Sequence, residues 1–153
     1  MKVKIKKLNN NAVTPRKYYG KDFCYDVVAT SCEEVAPNVY RYGTGLSFEI
    51  VRSGELLMDD GHKYCLSIDM RPRSSVWKTG MVLSNCVGTI DEDYRGEVCA
   101  VFYHVMPDMP KYEVGDRIGQ IKLGFTEVIQ FVETDELSND VERGEKGYGS
   151  SGK

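Results

Sequence analysis

One run of thirteen residues, 85–97, brings an amide, several carboxylates and an aromatic ring close together in the sequence. Asn85, Asp91 and Tyr94 are the members whose chemistry is most informative. If the run is the loop of a hairpin, these three side chains surround one concave turn. Such a set suits a small polar ring that carries a phosphate. An ordinary acidic turn is the alternative, because glycine and acidic residues are common between strands.

Two further segments carry groups that bind anions. In the first, Arg73 is followed by Ser74 and Ser75. Arginine binds phosphate oxygens through a fork of donors, and hydroxyl and backbone donors near a helical turn attract anions. Gln120 offers a further amide donor in a strand-like stretch. A helix cap is the alternative interpretation of the serine pair. On the residues alone, Asp26 is most simply an aspartate that ends a turn before a strand, and a magnesium ion that keeps several of its waters is the alternative.

Strand signals dominate the elements that must position these side chains. Short runs rich in Val, Ile, Tyr and Phe are separated by glycine, proline and acidic turns, and no window keeps a helical apolar stripe. One short helical turn is expected after Ser75. Many short strands without long helices predict an all-β sandwich or barrel. The predicted strands are residues 3–8, 25–29, 44–51, 64–68, 80–83, 98–105, 117–123 and 127–132.

The composition changes near Thr134. Residues 134–153 contain little apolar material and end in a glycine-serine stretch. Such a segment has too little apolar surface to bury, so it cannot by itself offset the conformational entropy that it would lose on becoming ordered. The sequence therefore predicts an all-β domain at 1–133, which the resemblance described below implies to be a barrel, and a flexible C-terminal arm at 134–153. A terminus without a role is the alternative.

Bulk properties narrow the class of protein. The chain has 153 residues, 41% hydrophobic and 28% charged, which fits one globular domain. No apolar stretch approaches the ~20 residues that span a bilayer. The net charge of −3, without a large basic block, argues against long nucleic acid and favours a small anion as ligand. The N-terminus alternates lysine with Val3 and Ile5 and has no apolar signal region. A cytoplasmic, intracellular protein is expected.

The five cysteines are scattered and form no Cys-x-x-Cys pair. Zinc sites need clustered ligands, so none is indicated. The odd count suits reduced thiols in a reducing compartment. Cys86 and Cys99 are expected to be small core residues.

Five segments, in order, resemble the trimeric dUTP diphosphatase (dUTPase) family. They cover the chain from about Asp22 to its last residues. One of them, 85–97, contains the family's Ile-Asp-x-Asp-Tyr pattern, and another, 115–120, is similar to Gly-Asp-Arg-Ile-Ala-Gln. The five segments are residues 23–27, 71–75, 85–97, 115–120 and 143–152.

The resemblance implies a distorted β-barrel of jelly-roll type and a homotrimer whose subunits share each site. It implies hydrolysis of dUTP to dUMP and pyrophosphate with Mg²⁺, which supplies dUMP for thymidylate synthesis and keeps uracil out of DNA. Asp91 corresponds to the family's aspartate that activates the attacking water. Asp26 corresponds to the one that reaches the metal through water. Arg117 corresponds to a structural residue in a strand.

The remaining site residues also follow from the resemblance. Those expected near the phosphates are Arg73, Ser74, Ser75 and Gln120. Asn85 and the backbone of Gly88 correspond to the uracil binders, and Tyr94 to the tyrosine beneath the deoxyribose. The arm residues expected to close over the nucleotide are Arg143, Tyr148, Gly149, Ser150 and Ser151. Three positions depart from the family pattern: Cys24 and Lys146 replace glycines, and Tyr148 replaces a phenylalanine.

Two other functions are alternatives, and the first of them is disfavoured by the strand after the hairpin. The related dCTP deaminases share the barrel and an Arg-Ser-Ser segment, but they place a glutamate in the strand after the hairpin. Here residues 98–103 contain no acid. A regulatory dUTPase-like protein, which binds nucleotide and signals to a partner, would keep the same polar residues.

Overall fold

A computed structural model describes residues 1–51, 64–138, 140–142, 144 and 145. These described residues form ten β-strands and one short 3₁₀ turn, Val76–Lys78, so the all-β prediction is confirmed. The described part of the chain contains no helix with the length and hydrophobicity needed to cross a bilayer. The strands are β1 Lys2–Lys7, β2 Tyr25–Val28, β3 Ser31–Ala36, β4 Val39–Gly43, β5 Leu46–Val51, β6 Tyr64–Arg71, β7 Met81–Leu83, β8 Gly88–Asp91, β9 Cys99–His104 and β10 Arg117–Glu127.

The strands form three antiparallel sheets, in an arrangement of the jelly-roll type. One four-stranded sheet has the order β2-β10-β6-β8, and a second has the order β3-β4-β9-β7. Strands β1 and β5 pair as a two-stranded ribbon. Side chains from all three sheets fill one core, in which Tyr42, Leu46 and Phe102 are fully buried. The Tyr42 hydroxyl donates to the carbonyl of Tyr112 at 2.8 Å, which satisfies its polar group inside the core.

The predicted hairpin between β7 and β9 is present, with Leu83 opposite Phe102. Its connecting run is more than a loop, because it contains β8. That strand leaves the β7–β9 sheet and pairs with β6 in the other one, where Asp91 lies opposite Ser67. The connection between the hairpin strands therefore ties the two large sheets together.

Several predicted elements need correction. Strands β3 and β4 were not predicted. Strand β3 is exposed along its whole length and shows no buried alternation, whereas β4 alternates buried Tyr40 and Tyr42 with exposed Arg41 and was missed. The two strands join through Asn38, whose φ of 62° suits a tight turn. The strand expected at 127–132 is wrong beyond Glu127, where β10 ends. Residues 128–132 have no strand partner among the described residues and expose Ile129 and Phe131.

The cysteines are all unpaired thiols. Cys86 is exposed in the connection before β8, so its assignment to the core is wrong. Cys99 is half-buried on β9, with its side chain on the outer face of the strand.

Candidate functional site

Asp26 lies at the centre of a cluster of cations and amides. The pairing of β2 with β10 sets it directly opposite Gln120, whose side-chain amide donates to Asp26 Oδ1 at 3.1 Å. Arg117 Nη1 donates to the other oxygen, Oδ2, at 2.9 Å, and Arg73 Nε lies 3.5 Å from Oδ1. The Asp26 side chain is only 8% exposed, as expected for a paired buried charge. We call Asp26, Arg73, Arg117 and Gln120 the Asp26 cluster.

The Asp26 cluster carries more positive than negative charge, because two guanidinium groups face one carboxylate. Arg73 Nε is buried and has no hydrogen-bond partner among the described atoms. A buried donor without a partner costs free energy, so an acceptor such as a phosphate oxygen would be stabilised there.

The serine pair lies beside this cluster, after the end of β6. Arg73 Nη1 lies 3.4 Å from Ser75 Oγ, within hydrogen-bond distance. The predicted helical turn follows at Val76–Lys78, and Lys78 N donates to the Ser75 carbonyl. The Ser75 side chain forms no capping bond, so the alternative role as a helix cap is not supported. Ser74 is exposed and available to a ligand.

Asp91 lies in a separate pocket of about 310 Å³. It ends β8, and its carbonyl accepts from Tyr94 N at 3.1 Å, which makes a tight turn. The Tyr94 hydroxyl donates to the carbonyl of Glu97 at 3.0 Å, and its ring lies against Gly96, where no side chain would fit. The Asp91 side chain is exposed to the pocket region. The lining residues are Arg41, Thr89, Ile90, Asp91, Tyr94, Glu97, Val98 and Cys99.

Asn85 and Gly88 lie next to each other at the entry to β8. A Cβ atom at Gly88 would lie 3.3 Å from Asn85 Nδ2, so the glycine allows the amide to lie against the backbone. Gly88 is buried opposite Met70, whereas Asn85 is exposed. The pair presents an amide and backbone groups in the stretch that leads to Asp91.

The structure adds Arg41 and Cys99 to this pocket, and the sequence did not indicate either. Burial raises the pKa of the Cys99 thiol, and the nearby Glu97 carboxylate raises it further. Arg41 forms an ion pair with Glu33 of the neighbouring strand, which raises the pKa of its guanidinium. The pairing of β4 with β9 brings them together, and the sequence showed no signal for that pairing.

Asp26 and Asp91 belong to the same sheet, β2-β10-β6-β8, but lie on its two opposite edge strands. A row of polar side chains lies between them: Lys122 Nζ is 2.8 Å from Asp69, and Ser67 Oγ donates to Asp69 at 3.0 Å. The hydrogen bond from Lys122 lowers the pKa of the Asp69 carboxyl. Among the described residues, no hydrogen bond or ion pair joins Asp91 to the Asp26 cluster.

The separation follows from the strand order. Three strand spacings separate β8 from β2, and the registers offset Asp91 from Asp26 by four residues along β6. With ~4.8 Å between strands and ~3.3 Å per residue, the two carboxylates of one chain are roughly 20 Å apart.

The predicted arm residues Arg143, Tyr148, Gly149, Ser150 and Ser151 lie outside the described residues, as does Lys146.

The described residues offer few ligands for a metal ion. The described residues contain no group of three or more His, Cys, Asp or Glu that could hold one. Both oxygens of Asp26 already accept hydrogen bonds, although each keeps a lone pair for a water. The residues present therefore fit a cation that arrives with an anionic ligand and contacts Asp26 through water.

Comparisons with known proteins agree on one family. The family model described as dUTPase matches residues 10–152. A deoxyuridine 5'-triphosphate nucleotidohydrolase of Nautilia profundicola is 33% identical, with 100% of both chains aligned. The protein of the same name from Helicobacter hepaticus is 34% identical over 99% of this chain and 89% of its own.

Solved structures share the fold. The dUTPase of Staphylococcus bacteriophage 80alpha, solved with dUPNHPP, has a TM-score of 0.78 at 22% identity, over 99% of this chain and 98% of its own. That work describes phage dUTPases as controlling the transfer of virulence genes. A mutant dUTPase of phage phi11 of S. aureus, described with a structural Mg(II) ion, has a TM-score of 0.68 at 16% identity, over 90% of this chain and 99% of its own.

Proposed function

This chain belongs to the dUTPase family, and we propose that it is a dUTP diphosphatase, which hydrolyses dUTP to dUMP and pyrophosphate with Asp91 as the general base. One observation supports this role of Asp91. Its carboxylate is exposed and lies in a pocket with Tyr94, outside the Asp26 cluster. The reaction would supply dUMP for thymidylate synthesis and keep uracil out of DNA.

In the proposed reaction, Asp91 takes a proton from a water molecule, and the water oxygen attacks the α-phosphorus. The bond from that phosphorus to the oxygen bridging to the β-phosphorus breaks, and pyrophosphate leaves. Positioned donors stabilise the charge that develops on the phosphates. The proposed donors are Arg73, Ser74, Ser75 and Gln120.

Mg²⁺ is the proposed cofactor, held mainly by the triphosphate and reached by Asp26 through water. Arg73 Nε, which pairs with Asp26 by charge but forms no hydrogen bond, and the excess of cations in the Asp26 cluster support an anion at this position. When bound, the metal neutralises part of the phosphate charge. The residues of this chain orient the phosphates and hold Asp26 in place.

Base and sugar selection is assigned to the connection before β8 and the turn after it. Asn85 and the Gly88 backbone would pair with the uracil edge, and a mismatched base would leave buried polar groups unpaired. Tyr94 would lie beneath the deoxyribose and leave no room for a 2′-hydroxyl. The hydrogen bond from its hydroxyl to the Glu97 carbonyl holds the ring, and Gly96 leaves the space that the ring occupies.

We propose the segment 134–153 as an arm that closes over the nucleotide. In this role Arg143 would reach the γ-phosphate, and Tyr148 would stack on uracil, which is worth about 1–3 kcal/mol. The arm's remaining contacts with the triphosphate are assigned to Gly149, Ser150 and Ser151.

The direct test is pyrophosphate release from dUTP, dCTP, dTTP and UTP with Mg²⁺. We expect turnover confined to dUTP. UTP differs only by its 2′-hydroxyl, so comparable turnover of UTP would contradict the role of Tyr94. Ammonia release from dCTP would instead favour a dCTP deaminase. Strand β9, however, contains no Asp or Glu that could take part in deamination of the cytosine ring.

A homotrimer with shared sites is the proposed assembly. The roughly 20 Å between Asp91 and Asp26 of one chain exceeds the length of a triphosphate, so the Asp91 pocket needs the Asp26 cluster of another copy. The exposed apolar side chains at 128–132 also support burial against a second chain, since Phe131 is 89% exposed.

Light scattering tests this assembly. The mass in solution should be three times the 17.3 kDa of one chain. Turnover should elute with the trimer in size-exclusion chromatography. Full turnover by a monomeric fraction would rule out sites that are shared between copies.

A cytoplasmic location is also proposed, supported by five cysteines that are all free thiols. A regulatory role remains the alternative function. Partners recovered with this chain only in the presence, or only in the absence, of dUTP would support it.

A further inference from the structure

Arg16 lies beside the Asp26 cluster with an exposed guanidinium that forms no hydrogen bond or ion pair with any described residue. Its main chain, in contrast, is fixed. The Arg16 carbonyl accepts from Asp26 N at 2.9 Å, and the two residues form an antiparallel bridge outside the named strands. The backbone therefore sets the position of Arg16, and the five N–H donors of its side chain are left for a ligand.

The strand pairings place the Arg16 side chain in line with the Asp26 cluster. Residues directly opposite each other in an antiparallel pair project from the same face, with Cβ atoms about 4.5–5.5 Å apart. Arg16 lies opposite Asp26, and Asp26 lies opposite Gln120. On its other side, Gln120 lies opposite Arg71. These side chains form one row across the sheet, with a cation at each end.

A pocket of about 510 Å³ opens at the Arg16 end of this row. Its volume is within the ~300–1,000 Å³ that is usual for small-molecule sites. Arg16 and Arg117 both line the pocket, and Asp26 is the one acid among the described residues that do. Both Asp26 oxygens already accept hydrogen bonds, from Arg117 and Gln120. The charge of Arg16 is therefore uncompensated, and an anion would be stabilised in this pocket.

The pocket lies at the end of the sheet where the phosphate ligands are proposed. Strand β6 ends at Arg71, opposite Gln120, and Arg73 and Ser75 follow it. Because β6 and β10 are antiparallel, these residues lie toward the end at which β10 begins. Arg117 is the first residue of β10 and lines the pocket.

The proposed reaction indicates which part of a nucleotide Arg16 would meet. The α-phosphorus lies by Asp91 and the sugar over Tyr94, both supplied by one copy of the chain. The β- and γ-phosphates, which leave together as pyrophosphate, then lie over the Asp26 cluster of another copy. Arg16 is the next cation in line with that cluster.

We propose that Arg16 is a phosphate-binding residue that donates hydrogen bonds to the β- and γ-phosphates in the pocket beside Asp26. A guanidinium can bind phosphate oxygens through two parallel N–H bonds, and its charge offsets the charge of the leaving pyrophosphate. This inference rests on the proposed function. It adds a cation from the segment before β2 to those proposed from Arg73 and from Arg143 of the arm.

The test compares the binding of dUMP and of dUPNHPP, an imido analogue of dUTP, by titration calorimetry with Mg²⁺. The parent should bind dUPNHPP more tightly. Arg16→Gln should weaken dUPNHPP by about 10- to 100-fold, the range for a hydrogen bond between charged groups. The affinity for dUMP, which has no β- or γ-phosphate, should change by less than about 2-fold.

Lys21→Gln is the matched control. Lys21 is an exposed cation in the same connection before β2 and does not line the pocket. This variant should bind both ligands as the parent does. Equal losses for dUMP and dUPNHPP in Arg16→Gln would show that the nucleotide site as a whole is disturbed, and would overturn the proposal. An equal effect of Lys21→Gln would also overturn it, because the net charge of the segment would then explain the loss.

The two proposals fail differently. If the parent neither hydrolyses dUTP nor binds dUPNHPP, the proposed function is wrong. If the parent does both and Arg16→Gln binds dUPNHPP as tightly as the parent, only the role of Arg16 is wrong.

Discussion

Asp91→Asn is expected to lower kcat for dUTP by about 10²–10⁴-fold, the usual contribution of a general base. The amide keeps the size of the carboxylate but cannot take a proton from water. Because Asp91 is exposed at the end of β8 and has no ion-pair partner among the described residues, the fold should be unaffected. Pyrophosphate release under saturating dUTP measures the loss.

Asp93→Asn is the matched control for this variant. Asp93 is an exposed acid two residues further along the same turn and does not line the pocket. It should keep turnover within about 3-fold, as for most surface substitutions. Asp91→Asn should still bind dUDP as tightly as the parent. Equal losses in the two variants would mean that the charge of the turn matters, rather than a base at residue 91.

Asp26→Asn is expected to affect both stability and turnover. The substitution leaves two guanidinium groups beside a neutral amide. Complete loss of a buried partner costs about 3–5 kcal/mol. The exposure of Arg117, 40%, reduces the expected cost to roughly 1–3 kcal/mol. Arg73 and Gln120 also lose their common anchor, and misplacement of this kind can lower kcat/KM by about 10²-fold.

Thermal unfolding at fixed protein concentration and steady-state kinetics measure these two effects. Asp69→Asn is the control, since Asp69 is a second largely buried acid in the same sheet and is paired with Lys122. It should lower the melting temperature but keep kcat/KM within about 3-fold. A large kinetic loss in Asp69→Asn would show that turnover follows the stability of the sheet rather than the Asp26 cluster.

The sequence predicted most of the strands that alternate between core and solvent, and missed β4, which has the same alternation. Strand β6 buries every second residue, and this period is visible in the sequence. Strand β3 was not predicted because all six of its residues are exposed and because it is defined by its pairing with β4. Residues 128–132 have the composition of a strand, but composition does not provide the neighbouring edge that a strand must pair with.

The candidate site was predictable where its residues lie in one segment or match the family motifs. Asp91 and Tyr94 share a turn, and their common pocket follows from local geometry. The contact of Asp26 with Arg73 and Arg117 joins three segments, and only the family resemblance brought these segments together beforehand. Arg117 was expected to be structural, and it both binds Asp26 and lies over the ring of Tyr18 at 5.3 Å.

The distance across the β2-β10-β6-β8 sheet has a genetic consequence. If each site takes residue 91 from one copy and residue 26 from another, a chain carrying Asp91→Asn still offers an intact Asp26 cluster, and a chain carrying Asp26→Asn still offers an intact base. Two inactive alleles expressed together would then complement each other, because some sites in their mixed assemblies combine the undamaged half of each.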